Sequence, residues 1–179
     1  DNGLPVPESS SRLLDYLLDP ILKKYVASKV LSVFGGNLEI AVAGGAALSE
    51  PVAKMFLGLG LYIVQGYGMT ECSPVISVNR YGANDPKTVG NPIENTEVRL
   101  DPKTQEIQVR SPSVMKGYWH RPEETAKVIR DGWLCTGDVG EIDERGLIRI
   151  RGRIKDIIAT STGEKFPPVD LESAIEADP

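Results

Sequence analysis

Apolar residues first recur at helical spacing: Leu13, Leu14, Leu17, Leu18, Ile21, Leu22, Tyr25 and Val26 form one stripe, which predicts a helix after a loop over residues 1–9. Ser9, Ser10 or Ser11 can cap its start, Pro20 kinks or divides it, and Gly35–Gly36 ends it. Leu38–Ala43 then reads as a strand that closes on the glycine-rich stretch Gly44-Gly45-Ala46-Ala47. Ser49-Glu50-Pro51 opens a second helix over Val52–Gly58, with serine at the cap and proline in the first turn. Leu61–Val64 is a second apolar strand, broken by Gln65-Gly66. The order helix, strand, helix, strand predicts α/β architecture with parallel strands of a doubly wound sheet. Such strands deliver Gly44-Gly45-Ala46 and Tyr67-Gly68-Met69-Thr70-Glu71 to the same edge.

From about Ser73 the pattern shortens to alternating runs: Val75–Val78, Thr96–Leu100, Glu106–Arg110, Val139–Asp143 and Leu147–Ile150. Polar turns separate them, including Asp101-Pro102-Lys103 and Asp143-Glu144-Arg145-Gly146, the second of which predicts a hairpin. Pro122–Thr125 starts a short helix to about Ile129, and Asp131-Gly132 turns the chain into Trp133–Asp138. A cluster of charges at Gly152-Arg153-Ile154-Lys155-Asp156 interrupts the hairpin and marks a junction. A strand at Ile157–Ala159, a loop at Thr160–Glu164 and an amphipathic helix from Asp170 follow.

Composition narrows the classes. The chain has 179 residues, 41% hydrophobic and 25% charged, enough to build a core. A net charge of −5 with no Lys/Arg-rich run argues against nucleic acid as a partner. Cys72 and Cys135 lack CxxC spacing and read as free thiols in a reducing compartment, hence a cytoplasmic protein. No apolar stretch approaches the length of a transmembrane helix.

Tyr67–Glu71 concentrates the candidate chemistry. It sits at the carboxyl end of a strand, where open α/β sheets bind ligands. Tyr67 offers a flat face for a base, and Gly68 lets the backbone approach a ligand. Thr70 can donate to a phosphate oxygen, and Glu71 can supply a hard oxygen ligand to Mg²⁺. The pentapeptide alone is equally readable as a turn. Asp138 can be a turn residue after Gly137, and Arg153 and Lys155 can be surface charges. His120 has no second metal ligand near it in sequence, Cys72 has no basic neighbour, and Trp119 and Trp133 read as packing residues.

Taken in order, the motifs resemble those of the adenylate-forming superfamily, the acyl-CoA synthetases and their relatives. They are Gly44–Leu48, Gln65–Glu71, Val89-Gly90-Asn91-Pro92, Glu106–Arg110 with Gly117-Tyr118-Trp119, Trp133–Asp138, Gly152–Asp156, and Gly163-Glu164 with Pro168. The resemblance implies a nucleotide site built from Gly45, Ala46, Gln65, Gly66, Tyr67, Gly68, Met69, Thr70, Asp138 and Arg153. In it Gly45, Ala46 and Tyr67 hold adenine, Asp138 and Arg153 the ribose, Thr70 the α-phosphate and Glu71 Mg²⁺, while Lys155 marks a hinge. It also implies ATP, Mg²⁺ and coenzyme A as co-substrate, with a fatty acid or other carboxylate as substrate and a carrier-protein phosphopantetheine as the alternative acceptor. Residues 1–79 would belong to the doubly wound part of a large domain, 80–152 to its β-rich distorted barrel, and 153–179 to the start of a small mobile α+β domain. The Asp101–Thr104 turn, the Val114–Trp119 run and the Thr160–Lys165 loop look most like the long-chain fatty acid branch. The family's Ser/Thr/Gly-rich phosphate loop and its late catalytic lysine are absent from these residues. The expectation is therefore an internal portion of a ligase, inactive by itself, with peripheral membrane attachment left open and a non-catalytic nucleotide module as the other reading.

Overall fold

The computed structural model describes residues 20–46, 48–156, 158–159 and 165–166. The chain forms two compact units, one from residues 1–41 and 51–63, the other from residues 42–50 and 64–179. In the first unit, helix α1 (Pro20–Ser32) begins at the proline. A proline in the first turn forfeits no helical hydrogen bond and arrives with a suitable φ. The apolar positions predicted before it lie outside the described residues, as do the loop at 160–164 and the final helix. Gly35 and Gly36 end the helical run at φ 83° and 75°, as their sequence predicts. Phe34 meets Phe56 of helix α2 (Glu50–Gly58) edge to face, with centroids 6.2 Å apart.

A four-stranded sheet runs β1 (Ile40–Ala43), β2 (Tyr62–Gly68), β3 (Val75–Val78), β4 (Asn91–Pro92). Strand, helix and strand follow in the predicted order up to β2. Beyond it β3 and β4 join antiparallel, in the stretch where the pattern shortens to alternating runs. The predicted break at Gln65-Gly66 is absent. Gly66 and Tyr67 pair with Val78 and Ser77, and the Gln65 carbonyl accepts the Asn79 N–H at 2.9 Å, so cross-strand bonding carries β2 through to Gly68.

The β-rich segment forms an open five-stranded antiparallel sheet, with no closed barrel among the described residues. Its order is β5 (Glu97–Leu100), β6 (Glu106–Arg110), β8 (Trp133–Ile142), β7 (Ile129–Arg130), with β9 (Ile148–Arg153) also on β8. The Asp143–Gly146 hairpin forms as predicted: Gly146 takes φ 76°, and the Asp143 carboxylate accepts the N–H groups of Arg145 and Leu147. Asp101 does the same for Lys103 and Thr104 in the β5–β6 turn. Helix α3 (Pro122–Val128) opens at its predicted proline. Trp133 is buried beneath two guanidinium groups, Arg99 at 4.1 Å and Arg110 at 4.6 Å from its ring centre. Trp119, expected to pack, is instead 86% exposed, with the His120 ring against its edge.

Ile76 and Cys72 join Ile107, Val109, Leu134 and Ile148 in one core within the second unit. Thr88–Pro92 is the seam. Val89 donates to the Ile148 carbonyl, and Ile148 donates to that of Gly90, at 2.8 and 2.9 Å. Gly90 passes so close to β3 that a Cβ would lie 2.0 Å from the Val78 carbonyl, and its φ is 80°. Gly132 has a similar φ of 79° but open space around it. Gly132→Ala should therefore cost about 1–2 kcal/mol from backbone strain, and Gly90→Ala a further 1–3 kcal/mol or so from the clash. Urea unfolding of the two variants measures the difference; equal losses would contradict the packing at the seam.

Candidate functional site

The local sequence of β8 explains how a carboxylate comes to be aimed at β2. Gly137 adopts φ 74°, in the stretch where the β6–β8 register shifts between Glu106↔Val139 and Gln108↔Cys135. Its N–H donates to the Glu106 carboxylate at 2.9 Å. The Thr136 hydroxyl donates to the Ile107 carbonyl at 2.8 Å and accepts the Asp138 N–H at 3.1 Å, which fixes the backbone on either side of the bulge. Asp138 is directly opposite Arg153 on β9.

Asp138 is 6% exposed, and its carboxylate holds two donors: the Tyr67 hydroxyl on Oδ2 at 2.5 Å and the Arg153 Nε on Oδ1 at 2.9 Å. Burial first, and then the bond to Asp138, push the Tyr67 phenol far above its ordinary pKa, so it is the proton donor of the pair. The bond to Asp138 raises the Arg153 pKa, although its guanidinium stands largely in solvent. A carboxylate has about four acceptor positions; two remain for further donors. Three residues singled out in the sequence thus meet at one group.

The other expected site residues lie in β2, in the exposed stretch after β1 and in two 3-10 turns. Gly45 takes φ 81° in an exposed bend with Ala46, and a Cβ at Gly44 would stand 3.6 Å from the Gly66 carbonyl. Gln65 ties the two glycine-rich stretches together: its buried amide accepts the Leu48 N–H at 3.3 Å and donates to the Pro86 carbonyl at 2.8 Å. Gly68 is needed by the protein's own backbone, because a Cβ there would meet the Pro74 carbonyl at 2.0 Å. Met69 is extended, packs on the core and donates to Pro74. Thr70–Cys72 form a 3-10 turn closed by Ser73 at φ 59°, which leaves Thr70 exposed and Glu71 half-buried. Lys155 is exposed in a second 3-10 turn, Ile154–Asp156.

Of the residues set aside in the sequence, the two cysteines are buried free thiols. Cys72 is buried, and burial, with Glu71 beside it, lifts its thiol to about 11. Cys135 is shifted upward too, chiefly by burial. Among the described residues no three His, Cys, Asp or Glu side chains gather as a metal site. A single half-buried carboxylate fits Mg²⁺, which commonly takes one or two protein carboxylates and completes its shell with water and substrate phosphates. Sequence reasoning missed the hydroxyl bond of Tyr67 and the contact of Tyr118 with Glu71; neither leaves a trace in periodicity, since both join residues far apart in the chain.

The fold is mixed α/β, and Tyr67, Asp138 and Arg153 bond together where β2, β8 and β9 meet. The chain belongs to the AMP-binding enzyme family, whose model matches residues 7–119. It is 35% identical over 159 residues to the long-chain-fatty-acid–CoA ligase FadD15 of Mycobacterium bovis, covering 89% of this chain and 26% of that protein. ATP-bound MatB from Rhodopseudomonas palustris superposes with a TM-score of 0.71 at 36% identity, over 77% of this chain and 30% of that one. The o-succinylbenzoate CoA synthetase MenE of Bacillus subtilis, solved with ATP and magnesium ion, gives 0.68 at 26% identity, over 83% of this chain and 34% of that one. The chain spans about a quarter of the length of the curated relatives it matches. Among the described residues no helix is long and apolar enough to cross a membrane.

Removing the Tyr67 hydroxyl takes a buried donor from a charged acceptor, whereas the Arg153 head is solvated. Tyr67→Phe should lose about 1.5–3 kcal/mol and Arg153→Gln no more than about 1 kcal/mol in urea unfolding. The reverse order would show that the phenol does not hold Asp138.

Proposed function

We propose that this chain is an internal portion of an ATP-dependent carboxylate–CoA ligase and carries its nucleotide seat. The observation that supports this most is the convergence of Tyr67, Asp138 and Arg153, from three separate motifs, on one buried carboxylate. In this reading the Tyr67 ring and the small residues Gly45 and Ala46 receive adenine. Gln65, Gly66, Gly68 and Met69 shape the wall beneath it. Asp138 uses its two remaining acceptor positions for the ribose hydroxyls, with Arg153 holding it from the solvent side. Thr70, exposed at the head of its turn, donates to the α-phosphate, and Glu71 holds Mg²⁺. The cation supplies charge neutralisation at the phosphates during attack. The substrate carboxylate attacks the α-phosphorus, pyrophosphate leaves, and the acyl group then passes from the adenylate to the CoA thiol. Lys155, in an exposed turn directly after Gly152 and Arg153, is the proposed hinge between these steps. The identity to FadD15 favours a fatty acid as the carboxylate. Within this reading residues 1–79, 80–152 and 153–179 are the doubly wound, β-rich and mobile-domain portions, and attachment to a membrane surface would belong to the whole protein.

The test is pyrophosphate release by the complete polypeptide with Mg²⁺-ATP and a panel of fatty, aromatic and amino acids. Release should depend on a fatty acid, and Asp138→Ala should raise the KM for ATP roughly 10- to 100-fold, the loss expected for hydrogen bonds to a charged group. A folded wild type that binds ATP and releases no pyrophosphate with any carboxylate would overturn the ligase reading and favour a non-catalytic nucleotide module.

A further inference from the structure

The segment Ser111–Thr125 is fastened to the turn that carries Glu71 at three points. The Ser73 hydroxyl donates to the Ser113 carbonyl at 2.9 Å, the Met115 N–H donates to the Glu71 carbonyl at 2.7 Å, and the Tyr118 hydroxyl donates to Glu71 Oε1 at 2.7 Å. Tyr118 is itself placed by the first turns of α3. Its N–H donates to the Thr125 hydroxyl at 2.9 Å, and that hydroxyl donates to the Arg121 carbonyl at 2.9 Å. Gly117 makes this approach possible, because at φ 150° a Cβ would stand 2.9 Å from both Thr125 Oγ1 and Cγ2. A free glutamate side chain samples several rotamers, and a charge-assisted bond to one oxygen removes most of that freedom while leaving the other oxygen open. Partners that orient a ligating carboxylate in this way commonly change metal affinity 10- to 100-fold when removed.

We propose that Tyr118 is a positioning residue for the metal-binding carboxylate: its hydroxyl, anchored through Thr125 to α3, fixes Glu71 in the orientation that receives a divalent cation bound to the nucleotide. The inference rests on the assignment of Glu71 made above. It concerns cation affinity and geometry, and Tyr118 touches no reacting atom.

The experiment titrates Mn²⁺ against the complete polypeptide in the presence of ATP, following the enhancement of water-proton relaxation, for wild type, Tyr118→Phe, Glu71→Gln and the double variant. Tyr118→Phe keeps the ring and its packing and removes only the donor. It should weaken Mn²⁺ binding about tenfold, and in the Glu71→Gln background it should change nothing further, because the group it orients is gone. Unchanged Mn²⁺ affinity in Tyr118→Phe, or the same loss in both backgrounds, would overturn the proposal; so would a wild type that binds ATP without Mn²⁺. This binding cycle stands apart from the ligase reaction. If pyrophosphate release fails with every carboxylate while the cycle shows the expected coupling, the catalytic reading falls and the tether stands.

Discussion

Burying a carboxylate is costly unless donors replace the water it loses, and breaking such a pairing leaves an uncompensated charge. Asp138 is the carboxylate in question, and its two donors come from β2 and β9. The pairing exists only if β2 and the β8–β9 hairpin are held in a fixed relation within the second unit. Much of the packing around it can be understood as meeting that requirement.

Three backbone irregularities set the geometry. The β2–β3 register shifts between Tyr67 and Gly68, where a glycine is demanded by the nearby Pro74 carbonyl. Around Gly137 the β6–β8 register shifts, and Thr136 bonds both to the neighbouring strand and to the Asp138 amide. At Gly90 the seam threads between β3 and Ile148. Beneath them Ile76, Ile107, Leu134 and Ile148 pack as one fully buried layer. Bulges re-aim neighbouring side chains, and here they flank Tyr67 and Asp138, which bond to each other.

Much of this was legible in the chain. The strands Val75–Val78 and Glu106–Arg110, the helix opening at Pro122 and the Asp143–Gly146 turn all follow from period and turn chemistry, which are local signals. The order of the motifs placed Tyr67, Asp138 and Arg153 together by resemblance, and the structure adds the bonds. Non-local effects escaped the pattern. β2 runs past Gln65-Gly66 because β3 satisfies its backbone, and the Pro74 carbonyl leaves no room for a Cβ at Gly68. Trp119 stands in solvent despite its size, and nothing in its neighbourhood of sequence signals exposure. The Tyr118–Glu71 bond spans 47 positions and has no periodic signature.

A crystal structure of the complete polypeptide with AMP would show whether the Tyr67–Asp138–Arg153 cluster seats a nucleotide. Both ribose hydroxyls should lie on the Asp138 carboxylate and the base against the Tyr67 ring beside Gly45 and Ala46, with the Arg153 contact kept. AMP seated elsewhere, with the three side chains bonded only to one another, would contradict that seating.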